Sequence, residues 1–245
     1  MFDGKGRNDA SNFVHAKRAV ASLRDRVKLV IFDFDGTLVD SRSLILESHQ
    51  IVFAEFQLPA PSPADSLALV GKSLDIILTQ LAGPAAPIPE MVRAYDLLLP
   101  QLRADPAFAE RPFDGVADLL YELSSASDTI LGIATGHRSD TIAPALEALR
   151  WNGFFRTIQA ADMAPSKPHP GMLLQALAAT GVTAENAIFI GDTTFDMEMA
   201  RAARLRSIGV GWGYHQADRL TAAGAHRVAN AVDELRGCIR SVMSE

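Results

Sequence analysis

A chain of 245 residues, 48% of them apolar, can bury one full α/β core and a small accessory unit, but not two large domains. Its formal charge of −6 comes without any basic block, so neither nucleic acid nor an anionic membrane is indicated as the main partner. The lone cysteine, Cys238, excludes an internal disulfide and a cysteine-built zinc site, and fits a reducing, cytoplasmic setting.

Residues 1–26 carry scattered charges, among them Asp3, Lys5, Arg7, Lys17 and Arg24, without the apolar centre of a secretory signal. They read as a leader, with an amphipathic helical pattern over 12–26. The longest compact apolar stretch, 27–34, has the length of a strand and not of a membrane span. Residues 27–32 predict a buried strand, and it ends on the polar turn from Asp33 to Thr37. Residues 41–111 then show only helical patterns, at 44–56, 74–81 and 90–102. Pro59, Pro61, Pro63, Pro84, Pro87 and Pro89 punctuate the connections. Alternation follows: helix 115–126, strand 129–134, helix 139–149, strand 157–160, helix 170–180 ending at Gly181, and strands 187–190 and 207–210.

This order predicts a doubly wound, Rossmann-like parallel sheet over 27–40 and 112–245. A small all-helical cap, 41–111, is inserted after the first strand. From there it can cover the carboxyl edge of the sheet, where ligands bind in such architectures.

Two acidic pairs stand out. Asp33 and Asp35 close the first strand, and in extended backbone residues two apart point to the same side. Like charges so close to apolar surroundings need a cation or a proton, and hard carboxylate oxygens suit magnesium. Alone, Asp35-Gly36 reads as a turn and Asp33 as a helix cap. A second strand, however, ends in Gly191-Asp192 with Asp196 four residues on. Capping accounts for Asp196 by itself, but not for paired aspartates at two strand ends. Thr135 and Gly136 close another strand, where a hydroxyl and backbone N–H groups can hold phosphate oxygens. Pro168 and Pro170 flank His169 and put Lys167 on a stiff loop.

DFDGT at 33–37, Thr135, Lys167 and GDTTFD at 191–196 together resemble the motif set of the haloacid dehalogenase superfamily of phosphohydrolases. The likeness covers about 27–232. It implies that Asp33 is the nucleophile of an aspartyl-phosphate mechanism, and that Asp35 is general acid, then base, with a pKa raised beside Asp33. It implies Mg2+ held by Asp33, the Asp35 backbone carbonyl and Asp192. Thr135, Gly136 and Lys167 would bind the transferring phosphoryl group, with Thr37 and Asp196 in support, the latter positioning Lys167 or a metal-bound water. The helical insert and SKPHPGML at 166–173 are similar to the phosphoglycolate phosphatase-like branch. That implies a small phosphorylated metabolite as substrate, and a monomer or homodimer. Gly136 stands where that branch commonly has asparagine, so the backbone is expected closer to the phosphate.

Three alternatives stay open. Phosphosugar mutases share the same core motifs. A phosphonate hydrolase would need a cap lysine for a Schiff base, and Lys72, in Val70-Gly-Lys-Ser73, is the candidate; it reads more readily as a solvated or phosphate-steering cap residue, and it could also contact the substrate's leaving portion. A non-catalytic binding module of the same fold would be expected to have lost one of these positions.

Overall fold

The computed structural model describes residues 27–244, so the expected leader helix at 12–26 lies outside the described residues. β1 (Lys28–Phe32) leads into β2 (Val39–Asp40), after which four helices follow: α1 (Arg42–Glu55), α2 (Pro63–Leu67), α3 (Leu74–Ala82) and α4 (Ile88–Arg103). β3 (Arg111–Pro112) returns antiparallel against β2, with Val39 opposite Pro112. The chain then alternates through α5 (Val116–Ser125), β4 (Thr129–Ala134), α6 (Ser139–Ala148), β5 (Phe155–Gln159), α7 (Gly171–Thr180) and β6 (Ala187–Gly191). It ends with α8 (Thr194–Ala202), β7 (Arg206–Val210), α9 (Ala217–Ala223), β8 (Arg227–Ala229) and α10 (Val232–Val242).

Six strands form one sheet in the order β5-β4-β1-β6-β7-β8, every pairing parallel. Helices cover both faces, which is why the central strands read as unbroken apolar runs. The two-residue period sorts those runs. Leu29, Ile31 and Phe189 pack with Met172 and Leu173 of α7 and Met199 of α8. Val30, Phe32 and Ile190 pack on the other face with Leu120 of α5, Ile142 of α6 and Leu235 of α10. The fold is therefore the expected α/β sheet with a helical insertion, which here begins after β2. That insertion has an apolar cluster of its own, built on Leu44, Phe53, Leu78, Met91 and Leu99.

The differences from expectation are short elements. β2 and β3 have two residues each, too few to show any alternation, yet their pairing brackets the insertion and fixes where it leaves and rejoins the core. Within 41–111, read as free of strands, Arg111 therefore belongs to one. α2 was hidden among prolines: Pro63 is its first residue, and Ser62 caps it by accepting the Asp65 N–H at 3.1 Å. β8, three residues at the sheet's edge, also escapes a pattern search.

Leu120 is fully buried between α5 and the sheet. Leu120→Ala should lower unfolding free energy by about 2–5 kcal/mol in urea denaturation, as cavity formation in a packed core does. A loss below about 1 kcal/mol would mean this face is not tightly packed.

Candidate active site

Parallel register brings the carboxyl ends of β1, β4 and β6 side by side, with Phe32 opposite Ile133 and Ile190. Asp33, Thr135 and Asp192 follow those strand ends and are all buried. The Asp33 N–H donates to the Ile190 carbonyl at 2.8 Å, extending the ladder one residue past β1. Beyond it the chain turns sharply: Gly36, at φ 76°, donates its N–H to the Val39 carbonyl.

Lys167 Nζ lies 2.7 Å from Asp33 Oδ1 and 2.8 Å from Asp196 Oδ1. Asp33 Oδ1 also accepts the Phe34 N–H at 2.7 Å. Its other oxygen, Oδ2, is buried without a hydrogen-bond partner. Asp196 Oδ2 accepts from both the N–H and the hydroxyl of Thr193, so one residue caps α8 and holds the lysine. Asp192 Oδ1 accepts from the Thr37 hydroxyl at 2.9 Å, and its Oδ2 from the Tyr214 N–H at 2.8 Å. A Cβ at Gly36 or Gly213 would collide with the Asp192 carboxylate, so glycine on both sides lets the backbone close around it.

Carboxylate oxygens of Asp33, Asp192 and Asp196 all lie within 4.8 Å of one another. Three carboxylates around one ammonium leave two negative charges unmatched when all are ionised. The protonation equilibria register this. Burial, reinforced by Asp196 and Asp35 against the opposing Lys167, pushes Asp33 up to about 7. Burial, then Asp196 and Asp33, raise Asp192 well above the usual carboxylate range. Burial alone would lower Lys167, but Asp196 and Asp33 outweigh it and keep the ammonium charged. An all-oxygen donor set, an orphaned carboxylate oxygen and a deficit of two positive charges together fit a magnesium ion.

Asp35 does not share that cluster. Its carboxylate turns to His137 Nε2, 2.8 Å from Oδ2, and to the Ser41 hydroxyl on Oδ1. A raised pKa was expected here, and the structure corrects it. Burial pushes Asp35 up, but the His137 charge and hydrogen bond, then Ser41 and Arg103, outweigh it and hold the carboxyl below its ordinary value. Correspondingly, Asp35 overcomes the effect of burial on His137 and raises it. The pair favours carboxylate with imidazolium. The raised carboxyls at the strand ends are Asp33 and Asp192. The expectation had assumed extended backbone from 33 to 35, whereas the chain is already turning at Phe34.

Thr135 accepts the His137 N–H on its hydroxyl at 3.2 Å. Gly136 faces the insertion: a Cβ there would collide with the Lys72 carbonyl oxygen and lie 3.1 Å from that of Gly71. The missing side chain thus serves contact with the insertion. The Lys72 ammonium points elsewhere, 3.1 Å from Gln80 Oε1 and 4.3 Å from the centre of the Phe195 ring. His49 sits mid-way along α1, within the helix expected at 44–56, and is buried.

Sequence reasoning assigned no role to four residues of the site: His137, Ser41, Tyr214 and His215. His215 accepts the Thr194 N–H on Nδ1, and its Nε2 lies 3.2 Å from the Ala68 carbonyl, joining the core to the insertion. The Ser73 N–H makes a second such tie, to the Ser166 hydroxyl at 2.8 Å. Tyr214 and His215 follow the β7 end, and a search past every strand's carboxyl end would have found them.

A family model described as "Haloacid dehalogenase-like hydrolase" matches residues 30–210. The chain is 32% identical, over 88% of its own length and 94% of the other, to "Probable phosphatase IndB" of Dickeya dadantii. It is 30% identical to a "Phosphoglycolate phosphatase" of Caulobacter vibrioides, over 88% of this chain and 92% of that one. A haloacid dehalogenase-like family hydrolase from Streptococcus pneumoniae, SP0104, superposes with a TM-score of 0.75 at 28% identity, covering 87% of this chain and 99% of that one.

Two outcomes follow from this geometry. A carboxyl with a raised folded-state pKa binds its proton more tightly folded than unfolded. Its stabilising effect is therefore present at low pH and lost as pH rises from 3.8 to about 7. With metal chelated, stability should fall across that window in urea titrations, and less steeply in Asp33→Asn. Added magnesium should raise the midpoint more near the upper end of the window than near the lower. Separately, Gly136→Ala should push the 70–73 loop off the core, seen as faster hydrogen exchange at the Ser73 amide; unchanged exchange would show that the loop accommodates a methyl group.

Proposed function

The chain belongs to the haloacid dehalogenase-like hydrolases, and from that membership we propose that it hydrolyses a small phosphate monoester through an aspartyl-phosphate on Asp33. It is an enzyme acting on phosphate esters. The observation that carries the mechanistic reading is Asp33 Oδ2: buried, free of hydrogen bonds, and on a carboxylate whose other oxygen is fixed by Lys167 and Phe34. One oxygen is held and one is left to attack, as a carboxylate nucleophile requires.

Asp33, Asp192 and the Asp35 backbone carbonyl would hold the magnesium ion, with Asp196 alongside. When bound, the ion offsets negative charge on the phosphoryl oxygens and the carboxylates. Lys167, the Thr135 hydroxyl and the Gly136 N–H take the phosphoryl oxygens. Asp33 Oδ2 bonds to phosphorus as the ester oxygen leaves. Asp35 passes that oxygen a proton supplied from the His137 imidazolium, 2.8 Å away. In the second half-reaction Asp35 takes a proton from water as the water oxygen bonds to phosphorus and the bond from phosphorus to Asp33 Oδ2 breaks, which releases phosphate and restores the Asp33 carboxylate. Residues 41–111, acting as a cap, exclude bulk water while Asp33 is phosphorylated. The name carried by several relatives makes phosphoglycolate the reference substrate to assay.

Asp33→Asn should lower kcat by more than about a thousandfold in a phosphate-release assay with magnesium, since covalent catalysis has no substitute for its nucleophile. Turnover within a factor of about ten of wild type would remove Asp33 from that role. Stoichiometric release of inorganic phosphate separates hydrolysis from the transfer a mutase performs.

A further inference from the structure

Beside the strand-end cluster, core and insertion line a cavity of ≈ 60 Å³, with Gly136 the one phosphate-binding residue on its wall. Asp35 and His137 form part of its wall, so it lies where the leaving group must go if Asp35 protonates the ester oxygen. Its volume corresponds to about two waters of liquid, room for a short leaving group in this closed arrangement. Leu44, Ile45, Ile77 and Leu99 give it apolar walls, while His49 and Tyr95 add polar ones.

Most charged groups around this cavity already have charged partners. His137 pairs with Asp35. Glu110 is held by Arg103 through two contacts, of 2.8 and 2.9 Å. Arg138 lies between Asp96 and Asp140. The Lys72 ammonium is turned toward Gln80 and Phe195, neither of which lines the cavity. Lys72, also on the wall, has no ion pair, but its ammonium is turned away from this space in the closed arrangement. A carboxylate entering it would lose water and meet a counter-charge only if Lys72 swung back.

His49 is the exception to the matched groups. It is only 2% exposed, and Nδ1 has no hydrogen-bond partner. Burial pushes its pKa down to about 4, so the ring is neutral at physiological pH. A buried polar atom left unpaired costs free energy until a partner arrives. Nδ1 of a neutral ring donates or accepts according to tautomer, and a hydroxyl can answer either. A carboxylate only accepts.

Building on the phosphatase reading above, we propose that His49 is a specificity-determining residue that hydrogen-bonds a hydroxyl of the leaving group. The substrate class is then the phosphate monoester of a short, uncharged, hydroxylated alcohol, rather than of a hydroxy acid. Both the apolar walls and the outward turn of the Lys72 ammonium fit that choice.

The test compares three esters of equal carbon number, ethylene glycol monophosphate, phosphoglycolate and ethyl phosphate, with magnesium. Wild type should favour the glycol ester over phosphoglycolate by about tenfold or more in kcat/KM, the scale of one unmet buried charge or hydrogen bond. His49→Phe should cut kcat/KM for the glycol ester about tenfold, mostly through KM, while leaving ethyl phosphate within about twofold. His49→Gln should recover most of the loss. Preference for phosphoglycolate would overturn the inference, as would an equal loss on glycol and ethyl esters, which marks a packing role alone. If no ester turns over, an aryl phosphate included, the phosphatase reading falls and this inference with it.

Discussion

The deficit of positive charge at the strand ends organises this molecule. Asp33, Asp192 and Asp196 are brought within one ion's reach by parallel register and a helix cap, and only Lys167 answers them from the protein. A folded chain tolerates such an arrangement when each carboxylate is otherwise well hydrogen-bonded, and here nearly every oxygen is. Thr37, the Tyr214 N–H, the Thr193 hydroxyl and N–H, and the Phe34 N–H satisfy the cluster on the protein side. What is left over is one oxygen of Asp33 and two units of charge. A divalent cation and a phosphoryl group fit that remainder together, because one supplies charge and the other an electrophile.

Steric room is the second constraint, and glycine meets it. Gly36 and Gly213 close on the Asp192 carboxylate from two sides, where any Cβ would collide. Gly71, at φ 98°, brings the insertion's backbone over the core, with a Cβ there 3.9 Å from Asp33 Oδ2 and 3.3 Å from the Thr193 hydroxyl. Gly136 receives that loop from below. The closed arrangement is thus a fit of backbone against backbone, tied by His215 to Ala68 and by Ser73 to Ser166. Arg103, donating to the Thr141 carbonyl at 2.7 Å, and the Arg138–Asp96 pair add side-chain ties across the same boundary.

Much of this was legible in the residues. Strands 129–134, 187–190 and 207–210 and the three longer helices of the insertion came from their apolar patterns, which are strong where burial is two-sided or a face is apolar. Asp33 and Asp192 were legible because each follows a strand whose end is readable, while Lys167, on its proline-flanked loop, and Asp196, at a helix start, joined them through the motif resemblance. The illegible parts have physical reasons. A two-residue ladder such as β2–β3 has no period. The direction of a side chain past a strand's end depends on the turn, and the turn at Phe34 sends Asp35 away from Asp33 toward His137. That single deviation reverses which aspartate carries the raised pKa. His137 stood in the sequence beside Thr135 and Gly136 without a role, since a histidine's partner is set by the fold and not by its neighbours.

The separation of Asp33 from Asp35 has a chemical consequence. Two carboxylates side by side would share one proton and one electrostatic fate, each raising the other. Here they are divided between two environments. Asp33 sees Lys167 and other aspartates, so its charge depends on what cation is present. Asp35 sees an imidazole and a hydroxyl, so its charge is set by the protein. In the proposed mechanism Asp33 must be ionised when substrate arrives, and a bound cation would provide for that. In the same mechanism the proton donor must hold its proton ready irrespective of the cation, and the Asp35–His137 pair would keep one within 2.8 Å. The turn that a sequence reader takes for a mere Asp-Gly bend is what keeps the two environments apart.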